Sequence, residues 1–378
     1  MAFLAGIWDY VGVFLIILTV VVFIHEFGHY LVARSNGVRV TVFSVGFGPE
    51  LFGWTNRAGT RWRISAVPLG GYVRMFGDAD DTSSTASDEV VTEADRAVSF
   101  HHKRVGQRAA IVVAGPAANF IFAILGLAAM FMILGQPIAA PVVGSVEPGS
   151  AAAAAGLKAG DRIIRIDGTA IHSFTDIQRM VRLDVGGKLD LVVERGNKRL
   201  SMVAVPHMVE HKSFFGGKEK IPLLGIAADP ADMHVIHHGP VSALVASFRE
   251  TGNMISTTAI GIGQILDGTR GASQLGGPIR IAQGAGQAAK MGLSSVIFYT
   301  IILSLNLGLI NLFPIPVLDG GRLVFYGIEA VLGRPLGERA QEYGFRIGLI
   351  LVLALMVFAT GNDIASLPVW ETIKRLFS

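Results

Sequence analysis

The chain has 378 residues, of which 51% are hydrophobic and 16% charged, with a mean hydropathy of +0.52. A soluble domain is about 25% charged, so a disordered chain is excluded and a wholly soluble enzyme disfavoured, leaving an integral membrane protein with water-exposed parts. The net charge of +3 is too small and dispersed for a nucleic-acid binder, and with no cysteine any metal must be held by His, Asp or Glu.

A bilayer span needs about 20 mostly apolar residues. The first candidate covers residues 10–33. The ten residues that open the chain carry Asp9 but no Lys or Arg, and the apolar run passes without a small-residue cleavage site into His25-Glu26-Phe27-Gly28-His29. It reads as a retained span rather than a cleaved signal peptide. Next, Val38, Val40 and Val42 alternate, as do Trp62, Ile64 and Ala66, punctuated by Gly46-Phe47-Gly48-Pro49 and Gly70-Gly71. That period of two predicts a small β-sheet beside the membrane, either a plain surface hairpin or an edge that accepts an extended peptide. Residues 78–95 are acidic and polar with little to bury, which suits a mobile linker.

The second span covers 109–134. Beyond it, 141–229 reads as a compact soluble domain, with a strand at Val142–Val146, a turn at Gly156–Asp161, a strand at Arg162–Ile166 and a capping box at Ser173-Phe174-Thr175-Asp176 that starts a helix. The string from Ala155 to Gly168 resembles a PDZ domain, a peptide-binding module, and Leu223-Leu224-Gly225-Ile226 resembles the peptide-binding strand that comes last in bacterial PDZ domains of permuted order. A PDZ fold used only as a spacer is the plainer alternative. Val241, Leu244, Val245, Phe248 and Ile255 recur near helical spacing, as for a helix on the membrane surface or packed on other domains. Residues 291–318 form the third span, and 347–362 a short fourth that needs residues from either end.

The expected organisation is therefore a polytopic α-helical membrane protein with four transmembrane helices, a membrane-associated cytoplasmic β-region and an inserted extracytoplasmic PDZ domain of α+β type. Its segments are the first helix in 1–34, the β-region in 35–77, the acidic linker and cytoplasmic segment in 78–108 and the second helix in 109–135. The PDZ domain follows in 141–229, the amphipathic surface segment in 240–290, the third span in 291–318, a cytoplasmic loop in 319–346, the fourth helix in 347–363 and a tail in 364–378. Orientation follows from positive charge. The loop from Arg34 to Arg108 holds ten Lys and Arg residues, and the loop after the third span holds Arg322, Arg334, Arg339 and Arg346. Both loops are expected to be cytoplasmic, and both termini and the PDZ domain outside. Lys374 and Arg375 run mildly against this.

On a helix, His25 and His29 project from one face, about 6 Å apart in rise. Two neutral imidazoles so placed can bind one Zn²⁺, with Glu26 beside them to take a proton from metal-bound water. Ionisable groups in a bilayer are costly and usually mark function. Catalytic zinc takes three protein ligands, so a third is expected from another span. The candidate is Asp319, behind Pro314 and Pro316, which cannot continue a helix. Irregular backbone at membrane depth must be protein-buried or face a wet cavity. An interfacial aspartate capping the next segment is the alternative.

Together, HEFGH in the first span, NLFPIPVLDGG in the third and the PDZ-like domain between them resemble the site-2 proteases, zinc metalloproteases that cut within membranes, and most closely their bacterial regulator-of-sigma-E type. Gly115-Pro116-Ala117-Ala118-Asn119, Gly46-Phe47-Gly48-Pro49 and Gln274-Leu275-Gly276-Gly277-Pro278 add to the resemblance. It implies His25, His29 and Asp319 as zinc ligands and Glu26 as general base. It further implies Asn306 and Asn311 as holders of the substrate backbone, and a membrane-reentrant β-loop that pairs with an unwound substrate strand. It also implies a bacterial inner-membrane location and single-pass membrane substrates such as anti-sigma factors or remnant signal peptides. Membrane lipid and C-terminal tails bound at Leu224, Gly225 and Ile226 are the other expected partners, with no nucleic acid. One PDZ domain instead of two in tandem departs from the best-known members. A PDZ-based membrane scaffold with a non-catalytic metal site, or a metal transporter, would use the same ligands differently. His234, His237 and His238, like His101-His102, could form a second metal site but fit solvated loop histidines better.

Overall fold

A computed structural model describes residues 2–78, 92–184, 186–212, 218–269, 271 and 276–365. It divides into two compact units, residues 1–126 with 277–361, and residues 127–276 with 362–378. Most of the acidic linker (79–91), Gln274, Leu275 and the tail from 366 onward lie outside the described residues.

In the first unit, α1 (Ala2–Ser35) carries its apolar run without a proline and ends where Gly37 turns left-handed at φ 68°. The Gly37 and Val38 amides then cap the carbonyls of Arg34 and Ala33. Strands β1 (Val40–Thr55) and β2 (Arg61–Met75) form a strongly bent antiparallel pair. The middle of β1 is flanked twice: Phe43 to Val45 lie against Val73 to Gly71 on one side and against Trp62 to Ile64 on the other. Gly46 and Gly70, at φ 90° and 121°, make the bends, and no Cβ fits at Gly70 because the Phe47 ring lies there. The far half, Glu50 to Thr55, is largely exposed, with Leu51, Phe52 and Trp54 outward.

A short helix, α2 (Glu93–Val98), leads to α3 (Val105–Ile133). Ala33, Val38, Val40, Met75, Phe100, Ile111 and Val112 form a buried cluster joining α1, the sheet and α3. Later in the chain come α7 (Pro278–Met291), α8 (Leu293–Asn311), α9 (Asp319–Leu332) and α10 (Glu338–Ala365). The buried small residues of α7, Gly284, Ala285, Gly286 and Ala288, allow close packing on α1, where the Tyr10 ring fills the space above Gly286.

Among the described residues, four helices are long and apolar enough to cross a membrane: Tyr10–Ser35, Val105–Ile133, Leu293–Asn311 and Arg339–Ala365. The fourth span extends at both ends, as its short apolar core requires. The third is trimmed: Met291 closes α7, Gly292 at φ 105° separates the two helices, and α8 stops at Asn311 ahead of the prolines. Its 19 residues rise about 28 Å, close to the roughly 30 Å hydrocarbon core.

The second unit holds β3 (Gln136–Ala139), β4 (Val143–Val146), α4 (Ala151–Ala154), β5 (Arg162–Ile166), β6 (Thr169–Ala170), α5 (Phe174–Leu183), β7 (Leu189–Arg195) and β8 (Lys198–Ala204), followed by β9 (His207–Lys212), β10 (Lys218–Leu223), β11 (Ile226–Ala228), β12 (Met233–Ile236) and α6 (Pro240–Leu266). Strands β6-β5-β7-β8 form one sheet, and the late strand β11 pairs back on the early β4. Val143, Ile163, Ile166, Phe174, Ile177, Val181, Leu189, Leu191 and Val193 fill the core. The Ser173–Asp176 capping box is formed, each side chain bonding the other's end of the turn. Asp161 explains its own turn: fully buried, it accepts the Lys158 amide at 2.8 Å and two bonds from Arg195 at 2.6 and 2.7 Å. The Arg195 guanidinium holds this carboxyl below its ordinary value.

Two differences from the sequence-based expectation stand out. A hairpin, β9–β10, precedes β11, where His207-Met208-Val209-Glu210-His211-Lys212 shows no alternation of apolar and polar residues to announce it. The segment 240–290 is not one surface element but α6 and α7, and α7 belongs to the first unit because its small residues seat it on α1.

Candidate metal centre

The site forms where α1, α3 and the start of α9 meet. His25 and His29, one helical turn apart, are both buried, at 7% and 8% exposure. Their Nε2 atoms lie 3.2 Å apart, and Asp319 Oδ2 lies 3.2 Å from that of His25 and 3.5 Å from that of His29. Among the described residues this is the one cluster of three ligand-bearing side chains, all within 4.8 Å of one another. Asp319 is not the cap of α9; that position belongs to Leu318, with Asp319 the first helical residue. There the positive end of the helix dipole favours its carboxylate.

The backbone around Asp319 is built from crowded glycines. A Cβ at Gly320 would overlap the carbonyls of Leu312 and Phe313, and one at Gly321 the carbonyl of Ile315. The proline-broken stretch 312–318 therefore folds directly onto the first turn of α9. Gly348 of α10 braces it from outside, since a Cβ there would come within 3.1 Å of Pro316 and Val317.

Helix α3 supplies the other wall. A Cβ at Gly115 would overlap His29 Nε2 and lie 2.9 Å from His25 Cε1. Opposite it, Gly28 of α1 lets the helices close until Ala114 and Ala118 touch. His29 Nδ1 donates to the Ile111 carbonyl at 2.8 Å, which fixes its proton on Nδ1 and leaves Nε2 with a lone pair. Pro116 removes an intrahelical donor from the turn beside Ile111. His25 Nδ1 faces the Asn119 amide at 3.2 Å.

The donor set suits a divalent cation. Asp319 Oδ2 is buried and makes no hydrogen bond of good geometry, although it faces two imidazole nitrogens. Converging electron pairs in a buried pocket are costly until a cation neutralises them, and two imidazoles with one carboxylate match the preferences of zinc. Glu26 lies on the same turn, beside the β2 backbone, and Gly71 gives β2 the room to approach, a Cβ there meeting Glu26 Cγ at 3.3 Å.

Of the two asparagines expected near the site, Asn311 is there, its amide 3.3 Å from His25 Nε2. Asn306 lies more than a turn earlier on α8, partly buried, and makes no hydrogen bond to the cluster among the described residues. Leu224, Gly225 and Ile226 line a groove of about 550 Å³ between β11 and α5, with Phe174, Ile177 and Val181 opposite. Gly225 has φ 75°, as a sharp entry to the strand needs. His234 sits on β12 and His238 bonds Gln136 at 3.0 Å; among the described residues neither joins a second cluster of three. Sequence reasoning matched Gly115 and Asn119 as a motif without giving them a role. Their spacing of four, equal to that of His25 and His29, was the available signal, because residues four apart share one helix face and here that face lies against the two imidazoles.

The family model of Peptidase family M50 matches residues 13–355. A protein of Agrobacterium fabrum, provisionally named a zinc metalloprotease, is 48% identical over 369 residues, covering 97% of each chain. Metalloprotease MmpA of Caulobacter vibrioides is 40% identical, over 96% of this chain and 97% of its own. Regulator of sigma-E protease RseP of Escherichia coli is 33% identical over 96% of this chain and 100% of its own. That last alignment runs 464 positions, longer than the 378 residues here, so RseP carries segments without a counterpart in this chain.

Proposed function

The chain belongs to peptidase family M50, the site-2 proteases, and from that premise we propose that it cuts transmembrane segments of single-pass membrane proteins at the His25–His29–Asp319 centre. Zinc metallopeptidase activity is the property of the family. The site, the substrates and the topology are the proposal. The observation that carries it is the convergence of three buried ligand side chains, contributed by one apolar helix and by the turn that ends another.

Held by His25, His29 and Asp319, zinc would polarise the scissile carbonyl and make water a nucleophile near neutral pH. Glu26 accepts the proton of the attacking water and returns it to the leaving amide nitrogen. The β2 backbone, brought close by Gly71, flanks the carboxylate through both transfers. Asn311 donates an amide N–H to the substrate backbone, with Asn306 as a second holding point further along α8. A helical substrate shields its own amides and must unwind first. The β2 stretch from Gly71 to Met75 pairs on one side with β1 and turns its other side toward Glu26, which suits addition of an extended substrate strand.

Positive charge orients the β-region and the loop around α9 toward the cytoplasm of a bacterial inner membrane, with the 141–229 domain and both termini outside. The β11–α5 groove, lined on α5 by Phe174, Ile177 and Val181 together with Gln178 and Arg182, suits the C-terminal tail of a protein already trimmed outside the membrane, in the manner of a PDZ domain. Anti-sigma factors and remnant signal peptides are the substrate classes of this kind.

The test uses purified full-length protein with a transmembrane reporter. Wild type should cleave with one zinc per chain. Glu26→Gln should keep the zinc and lose cleavage, and Asp319→Ala should lose both. Full cleavage by Glu26→Gln would overturn its assignment as base.

A further inference from the structure

We infer that Asn119 is a positioning residue for the metal centre, holding His25 in the tautomer that carries its proton on Nδ1 and leaves Nε2 free for the cation. The inference rests on His25 being a metal ligand.

Asn119 is completely buried on α3. Its backbone is held on the side of α8, where Ser304 Oγ donates to its carbonyl at 3.3 Å and a Cβ added at Gly308 would come within 3.2 Å of the Asn119 Cβ. Little beyond the amide itself is left to turn. That amide lies 3.2 Å from His25 Nδ1, while Asn119 Oδ1 is buried and has no hydrogen-bond partner. The two ends of an amide are nearly identical in shape, so hydrogen bonding decides which faces the ring.

With Nδ2 toward His25, the ring must accept at Nδ1 and carry its proton on Nε2, the atom facing Asp319 Oδ2. That arrangement leaves the amide oxygen orphaned and blocks the ligand atom. Turned by half a rotation, Oδ1 accepts Nδ1–H, and His25 Nε2 presents a lone pair beside that of His29. The NH2 group then takes the partnerless position in place of the orphaned acceptor, an unsatisfied group of the same order of cost, and the free ligand atom at His25 is what the turn gains. His29 is already set the same way by the Ile111 carbonyl. One helix, α3, would then fix both imidazoles, His29 through a main-chain acceptor and His25 through a side-chain one. The two differ in one respect: only the side-chain acceptor can be removed by substitution. Such outer partners raise ligand basicity and typically contribute 10–100-fold to metal affinity.

The experiment measures Co²⁺ affinity, by competition with a chelator, and the visible Co²⁺ absorption of the full-length protein in detergent. Asn119→Leu keeps the size and removes the acceptor; it should weaken Co²⁺ binding 10–100-fold and shift the absorption bands. Asn119→Ala gives the same reading where leucine does not pack. Asn119→Asp retains an acceptor and should stay within about threefold of wild type with unchanged bands. Equal losses in Leu and Asp variants would mark a packing role and overturn the inference. Wild-type affinity in Asn119→Leu or Asn119→Ala, with binding lost in His25→Ala, would overturn it while leaving the ligand assignment intact. Wild-type affinity in His25→Ala would overturn the ligand assignment, and this inference with it.

Discussion

Gly115→Ala is the sharpest single perturbation of the site, because it adds one methyl group and no polarity. The new Cβ would overlap His29 Nε2 and stand 2.5 Å from His29 Cε1 and 2.9 Å from His25 Cε1. Ordinary contact begins near 3.4 Å, so the two rings must retreat by about 0.5–1 Å. Moving the helices apart to absorb this would give up the close approach that Gly28 allows to the Ala114 carbonyl and the Ala118 side chain. Metal–ligand distances hold to about 0.2 Å and catalytic constellations to about 0.5 Å. Metal affinity should therefore fall at least 10-fold and cleavage about 100-fold. Helix stability should move the other way, since alanine is favoured over glycine by about 0.8–1 kcal/mol inside a helix. The assay pairs zinc retention under chelator competition and reporter cleavage with circular dichroism of the same preparation. Undiminished zinc and wild-type cleavage in Gly115→Ala would refute the packing of α3 against the two imidazoles.

Other consequences can be measured on the same protein. Glu26→Gln should retain zinc while losing 10²–10⁴-fold in cleavage rate; a parallel loss of zinc would instead make Glu26 a ligand. Gly348→Leu on α10 should push on Pro316 and displace Asp319, lowering zinc affinity from a position that touches no ligand; unchanged affinity would show that the 312–318 turn stands without its brace. Breaking the buried Arg108–Glu329 pair, 2.5 Å apart and at most 13% exposed, with Glu329→Ala should cost about 3–5 kcal/mol of stability, whereas replacing both residues by methionine should cost less. Thermal unfolding in detergent distinguishes the two, and equal midpoints would argue against a desolvated pair. In the second unit, Arg195 lowers the Asp161 value below 3.8, so the stability it contributes is complete above that pH and fades as pH falls through the lower folded value. Arg195→Gln should flatten this acid limb in melting curves taken below about pH 4, and an acid limb matching wild type would reject the coupling.

Much of this protein is legible in one dimension because its solvent is not water alone. A bilayer forces every spanning backbone amide to be paired within its own segment, so spans announce themselves as uninterrupted apolar runs. The same pressure made Glu26 the single charged residue in those runs and thereby conspicuous. The i,i+4 spacing of His25 and His29 needs only helix geometry to place both imidazoles on one face, and the Ser173–Asp176 capping box is a local hydrogen-bond pattern that needs no partner. Asp319 was readable as a candidate because the prolines ahead of it break the helix. Whether it capped α9 or faced the histidines depended on how the turn 312–318 folds back, a matter of carbonyls packed against Gly320 and Gly321. Likewise, α7 leaves the surface segment for α1 because of small residues whose value lies in what they allow to approach. Local periodicity registers what a side chain contributes, so Gly115, Gly28 and Gly348 give no signal where their function is to contribute nothing. His25, His29 and Asp319 could be nominated as candidate ligands from the order of the chain; the close approach of α1, α3 and the α9 turn, which brings them together, belongs to tertiary packing alone.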